Sequence, residues 1–127
     1  MEHVAVGIIL RDSNVLISKR GKDSHQGGFW EFPGGKKENN ESIEEALSRE
    51  LKEELGILIA NPVFIFSNLH NYTDKKVKLY FFSIDDFFGE PLGLEGQAIK
   101  WQCISMLNPN HFPNANNLII EWLKNKF

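Results

Sequence analysis

Between Gly35 and Ile57 the chain carries Glu50, Glu53 and Glu54 at a spacing that places carboxylates where a helix normally places apolar side chains. At about 100° per residue, Ile43, Ala46, Leu47, Leu51 and Leu55 share one apolar arc. Glu50 and Glu54 project into the middle of that arc and Glu53 onto its edge, whereas Glu45, Ser48 and Lys52 point toward water. A carboxylate among apolar neighbours is costly and takes up a proton unless a cation accompanies it, so the trio calls for cations. Clustered hard oxygen donors suit Mg²⁺ or Mn²⁺, and Mg²⁺ commonly shares its coordination sphere with substrate phosphates. Gly34-Gly35, just upstream, is backbone that can approach a phosphate or offer a carbonyl to a metal. The stretch reads as a metal–phosphate site; a solvated acidic helix would carry these charges on its other face.

The elements that must position these groups are legible. Ser42 with Glu45 three residues on has the form of a capping box, and Gly56 after Leu55 suits the left-handed residue that ends a helix. Val4 to Leu10 is a nearly continuous apolar run, as in a strand covered on both faces, and Arg11 to Asn14 is turn chemistry. Val15 to Arg20 is the returning strand, which brings Lys19 and Arg20 toward the polar Gly21–Gly28 loop. Phe29 to Gly35 is an aromatic-rich lead into the helix, with rings that pack or wall a nucleobase. Ile57 to Ile59 and Val63 to Phe66 are strand material broken at Asn61-Pro62, and Val77 to Ile84 is a stronger strand. Asn71 to Lys76 is a polar turn with His70 and Tyr72 packed near it, and Asp85 to Gly96 is loop-like. Within that loop Glu95 is either surface charge or a carboxylate that could ligate a metal or activate water. Lys100 to Ile104 supplies another strand, and Leu118, Ile119, Trp122 and Leu123 form the core face of a final helix. His25 has no partner histidine at metal-binding spacing and is given no role.

The chain has 127 residues, 42% hydrophobic and 24% charged, as expected of one globular domain spanning 1–127. A net charge of -3 and a pI near 5.8 give no footprint for a nucleic-acid polymer or an anionic membrane. Cys103 cannot form an intramolecular disulfide, and its strand-like surroundings favour an inert packed thiol. Nothing at the N-terminus has the pattern of a signal or a membrane span, so a cytoplasmic location is expected.

Gly35, Glu41, Arg49-Glu50-Leu51, Glu53-Glu54 and Gly56-Ile57 together resemble the Nudix box. The resemblance implies an α+β Nudix fold, an α/β/α sandwich around a mixed β-sheet. Ala5 to Ile9, Glu31 to Lys36, Gly89-Glu90-Pro91, Glu95-Gly96-Gln97 and Phe112 to Asn116 are similar to the MutT-like 8-oxo-dGTP diphosphatases of that family. Carried over position by position, Glu50, Glu53 and Glu54 are the metal-binding glutamates, with the Gly34 carbonyl and Glu95 completing the cluster. Arg49 orients the glutamates and Glu41 supports them. Lys36 faces the phosphates, and Asn116 reads the base beside Arg20, Glu31, Phe32 and Tyr72. Asn114 stands where the family's second proline is expected, and Trp30 and Tyr72 also differ from its commoner residues.

An asparagine amide suits that role chemically: oxidised guanine offers a donor at N7 and an acceptor at O6, which one amide can match, whereas guanine offers two acceptors. From local sequence alone, Asn116 could instead cap the final helix. The resemblance implies metal-assisted attack of water on the β-phosphorus of a nucleoside triphosphate, giving the monophosphate and pyrophosphate. Glu53 is the first candidate for general base and Glu95 the second. Such an enzyme would sanitise the nucleotide pool and prevent replication errors, with a monomer and a small-molecule substrate expected. Hydrolysis of another nucleotide, such as CTP or 5-methyl-dCTP, is the alternative, and a non-catalytic oxidised-guanine-binding module is the third reading.

Overall fold

An apolar strand needs cover on both faces, and the chain folds to supply it. In the computed structural model, which describes residues 1–21 and 28–127, the run near the N-terminus forms β1 (Glu2–Arg11). His25 and residues 22–27 of the expected loop lie outside the described residues. The chain continues through β2 (Asn14–Lys19), β3 (Trp30–Glu31), β4 (Gly34–Lys36), α1 (Ile43–Leu55) and β5 (Leu58–Ala60). It then forms β6 (Val63–Asn71), β7 (Lys76–Ile84), β8 (Asp86–Phe88) and β9 (Ile99–Cys103), and ends in α2 (Asn117–Lys126) after short 3₁₀ turns.

The main sheet has seven strands in the order β3-β2-β1-β7-β6, with β4 added to β1 and β9 to β2. The sheet is mixed: β1 runs parallel to β7, Glu2 opposite Val77 through Ile9 opposite Ile84, and antiparallel to β4. Alternation along β1 sends Val6 and Ile8 to one face, where they join Val15, Ile17, Phe81, Phe112 and the α2 residues Ile119, Ile120 and Leu123. Ala5 and Ile9 go to the other, against Leu16, Phe82, Ile84 and the α1 residues Ala46, Leu47, Leu51 and Leu55. One helix covers each face, which is the expected α/β/α sandwich.

The caps of α1 are as anticipated. Ser42 accepts from the Glu45 N–H at 3.1 Å, the Glu45 carboxylate accepts from the Ser42 N–H at 2.8 Å, and Gly56 is left-handed with φ 72°.

Several details differ from the sequence reading. Asp86–Phe88, inside the expected loop, pairs with β5, because Phe87 stacks near Trp101 and the Arg11 guanidinium lies over both rings. β6 runs on to Asn71 by pairing with β7, with one irregularity at Ile65 where the register shifts. In α2, Ile120 is buried and Leu118 is 52% exposed, since Ile119, Ile120 and Leu123 form the arc against the sheet and Leu118 lies off it. Cys103 is only half-buried, with Sγ 3.2 Å from the Ser105 hydroxyl, so the thiol is not packed away. Its hydrogen bond from Ser105 holds the thiol below its usual range.

At Gly34, opposite Val6, a Cβ would overlap the Ala5 carbonyl oxygen, which is backbone and cannot move aside. At Gly35 it would meet the Glu50 carboxylate, the end of a side chain rather than backbone. Gly34→Ala should therefore cost about 3 kcal/mol or more, and Gly35→Ala about 1 kcal/mol. Urea titrations of both variants check the order; equal losses would contradict it.

Candidate active site

Arg49, in the middle of α1, is the cation around which the box carboxylates are arranged. Its Nε and Nη2 donate to both oxygens of Glu41, at 3.0 and 2.6 Å, in a two-pronged pair. Nη1 donates to Glu50 at 3.0 Å and to Glu53 at 3.3 Å, and Nη2 also reaches the Lys36 carbonyl at 3.1 Å. One guanidinium thus links α1 to β4 and to the Glu38–Glu41 turn. Glu41, only 14% exposed, is held by Arg49 and by the Glu38 N–H at a pKa of about 2, and these carboxylates push Arg49 further above its already high value. Arg49 thus supplies one cation to Glu50 and Glu53 from within the chain.

Glu54 receives no such help. It is 9% exposed, and its Oε2 is buried with no hydrogen-bond partner among the described residues. Burial first, then the charges of Glu50, Glu31 and Glu95, push its carboxyl up to about 9. Glu31 is likewise raised by burial, an effect that its ion pair with Arg20 at 2.5 Å partly offsets. The pairing of β2 with β3, Ser18 opposite Glu31, puts Arg20 and Glu31 side by side.

Two cavities meet at that pair. One, of about 240 Å³, runs from Phe32, Ala115 and Asn116 to Gly34, Gly35 and Lys36. The other, of about 340 Å³, holds Glu54 and Glu95, and both are lined by Arg20 and Glu31. Phe32, which lines the first, stacks on Phe112 with ring centres 5.2 Å apart. Asn116 is buried there and makes no side-chain cap bond to α2, so the capping alternative does not hold. Tyr72 lines the same cavity, its ring edge against His70.

The structure therefore gathers Arg20, Glu31, Phe32, Lys36, Tyr72, Asn116 and Gly34 around one cavity, and Glu54 with Glu95 around its neighbour. Glu53 stands apart at 54% side-chain exposure, turned toward Arg49. Sequence reasoning missed Glu2 and Lys75, which line the first cavity; the Glu2 carboxylate lies 3.7 Å from Lys36 and 3.4 Å from Lys75. It also gave no role to Gln97, which bonds both the Glu95 loop and α1. Their signals are purely tertiary: the register of β1 on β7 for Glu2, and the path of a loop for Gln97.

A family model described as NUDIX domain matches residues 5–122. The chain belongs to the Nudix family. Among relatives of this Nudix chain, the 8-oxo-dGTP diphosphatase of Escherichia coli K12 is 40% identical over 123 residues, covering 95% of each chain. A CTP pyrophosphohydrolase of the same organism is 39% identical over 101 residues, 80% of this chain and 75% of that one. In fold it is similar to a solved MutT from a study of the Aliivibrio salmonicida and Vibrio cholerae proteins. The TM-score is 0.85 and the identity 37%, over 99% of this chain and 98% of that one.

The Nudix site fits a hard cation in its chemistry: an orphaned buried carboxylate oxygen, further carboxylates within electrostatic reach and no softer donor among them. Among the described residues the side chains do not already converge as a finished metal cage.

The raised pKa of Glu54 has a checkable consequence. In the metal-free folded state the carboxyl keeps a proton that the unfolded chain releases near 4.5, so its contribution makes stability fall as pH rises from about 5 to 9. Glu54→Gln should flatten that slope and raise the melting temperature at pH 8 in EDTA by a few degrees; an unchanged slope would contradict it.

Proposed function

We propose that this protein hydrolyses 8-oxo-dGTP to the monophosphate and pyrophosphate with the help of a divalent cation, Mg²⁺ or Mn²⁺. The observation that carries the reading is Asn116, a buried amide with no cap bond, set in an aromatic-walled cavity that leads to Gly34, Gly35 and Lys36. Relatives named 8-oxo-dGTP diphosphatase over nearly the whole chain support it.

In this reading the oxidised base lies against Phe32, its N7–H and O6 matched by the Asn116 amide, with Arg20 and Glu31 at the boundary between the two cavities. A purine without the N7 proton leaves the amide oxygen unpaired, which costs it binding in a desolvated site. Lys36 meets the phosphates as a point charge. Glu50, Glu53, Glu54, Glu95 and the Gly34 carbonyl are the groups that would hold the cation. When bound it would neutralise the triphosphate oxygens and lower the pKa of the attacking water. Water attacks the β-phosphorus, the bond to the α–β bridging oxygen breaks, and a carboxylate takes the water's proton. Glu53 is the first choice for that base and Glu95 the second. Arg49 keeps Glu50 and Glu53 in fixed orientations throughout, and Glu41 keeps Arg49 there. In this reading the Nudix domain acts as a cytoplasmic monomer on free nucleotides. Among the described residues no helix is long and apolar enough to cross a membrane.

The relative named CTP pyrophosphohydrolase makes a pyrimidine triphosphate the second reading. Pyrophosphate release from 8-oxo-dGTP, dGTP and CTP, at several sub-saturating concentrations with Mg²⁺, separates the two. The expected result is a kcat/KM preference for 8-oxo-dGTP over both others. Glu53→Gln should lower kcat by about 10²–10⁴-fold. Asn116→Ala should reduce the preference over dGTP by about tenfold or more. Faster turnover of CTP would transfer the assignment to the second reading, and equal slow turnover of the two guanine nucleotides would remove the first.

A further inference from the structure

Glu95 belongs to an exposed loop, yet its own N–H is tied to the helix that carries Glu54 through one side chain. Gln97, half-buried, accepts the Glu95 N–H at its Oε1, 2.9 Å away, and donates from its Nε2 to the Glu54 carbonyl at 3.1 Å. The end of α1 leaves carbonyls without intrahelical donors, and the loop supplies them. Leu94 N–H also reaches the Glu54 carbonyl, at 3.0 Å, and Leu92 N–H reaches that of Leu55 at 3.1 Å. Directly after Gln97, the Ala98 carbonyl accepts the Lys19 N–H at 2.9 Å, so the bridging amide is anchored between β2 and α1. Leu92 and Leu94 are 60% and 54% exposed, so beyond the buried Pro91 the loop is held largely by hydrogen bonds.

We propose that Gln97 is a positioning residue that acts through Glu95: its amide fixes the Glu95 backbone against that of Glu54, so that both carboxylates face the same cavity. The proposal rests on the reading of Glu95 as a site carboxylate under the proposed function. An amide is suited to the task because it joins an N–H to a C=O with one planar group, and it adds no charge beside carboxylates that already repel. Glu95 is exposed and would otherwise sample many positions, and displacement of a reacting group by about 1 Å can cost on the order of a hundredfold in rate.

The test uses Gln97→Met, which keeps the length and loses both bonds. Amide hydrogen exchange of the metal-free protein should show the Glu95 N–H exchanging about five- to tenfold faster in the variant, the factor that one net hydrogen bond confers. The Leu47 and Leu51 amides in α1 should be unchanged. With 8-oxo-dGTP, kcat should fall by about tenfold or more while KM stays within about twofold. In a Glu95→Ala background the same substitution should cause no further loss. Unchanged exchange at Glu95, faster exchange at Leu47 and Leu51 as well, or losses that multiply in the double variant would each overturn the proposal. If the unsubstituted protein turns over none of the nucleotides, the functional reading fails by itself and the exchange result alone decides whether the tie exists.

Discussion

Carboxylates brought within reach of one another in a partly desolvated place repel, and much of this fold can be understood as the means of keeping them there. Glu50, Glu54, Glu31 and Glu95 come from a helix, a short strand and a loop, and they meet where one end of α1 approaches the β2–β3 pair. Arg49 restrains Glu50 and Glu53, Arg20 pairs with Glu31, and Glu54 is left to hold a proton. Paired and protonated carboxylates thus share one acidic centre, whose hard oxygen donors suit a divalent cation.

The same constraint explains features that otherwise look incidental. Gly35 lacks a side chain because the Glu50 carboxylate takes the space of one, and Gly34 because β4 lies hard against the Ala5 carbonyl. The two helices cover opposite faces of a strand that carries no charge between Val4 and Leu10, so the acidic centre can sit at an edge of a well-packed core. A stable core and a strained acidic site are thereby kept in different parts of the molecule, a common division of labour between scaffold and function.

The Arg20–Glu31 pair lines both the cavity with Asn116 and the one with Glu54 and Glu95. An ion pair at such a junction ties the walls of the two cavities together.

How much of this was legible in the sequence follows from how local each signal is. The α1 caps, its apolar arc and the intrusion of Glu50 and Glu54 into that arc are matters of spacing along one helix, and the structure has them as read. The two-sided burial of β1 was likewise written in its unbroken apolar run. What the sequence could not determine was anything set by contacts between distant segments. β8 exists only because β5 lies beside it, and Leu118 is exposed only because α2 rolls Ile120 into the core. That Asn116 makes no cap bond could not be known until its surroundings were seen, and Gln97 stood in a family-like segment with nothing local to show what its amide bridges. Periodicity and capping are short-range consequences of backbone geometry, so the sequence alone determined them. Which carboxylate finds a partner and which amide bridges two elements depends on how packed elements approach one another, and only the tertiary structure decided that.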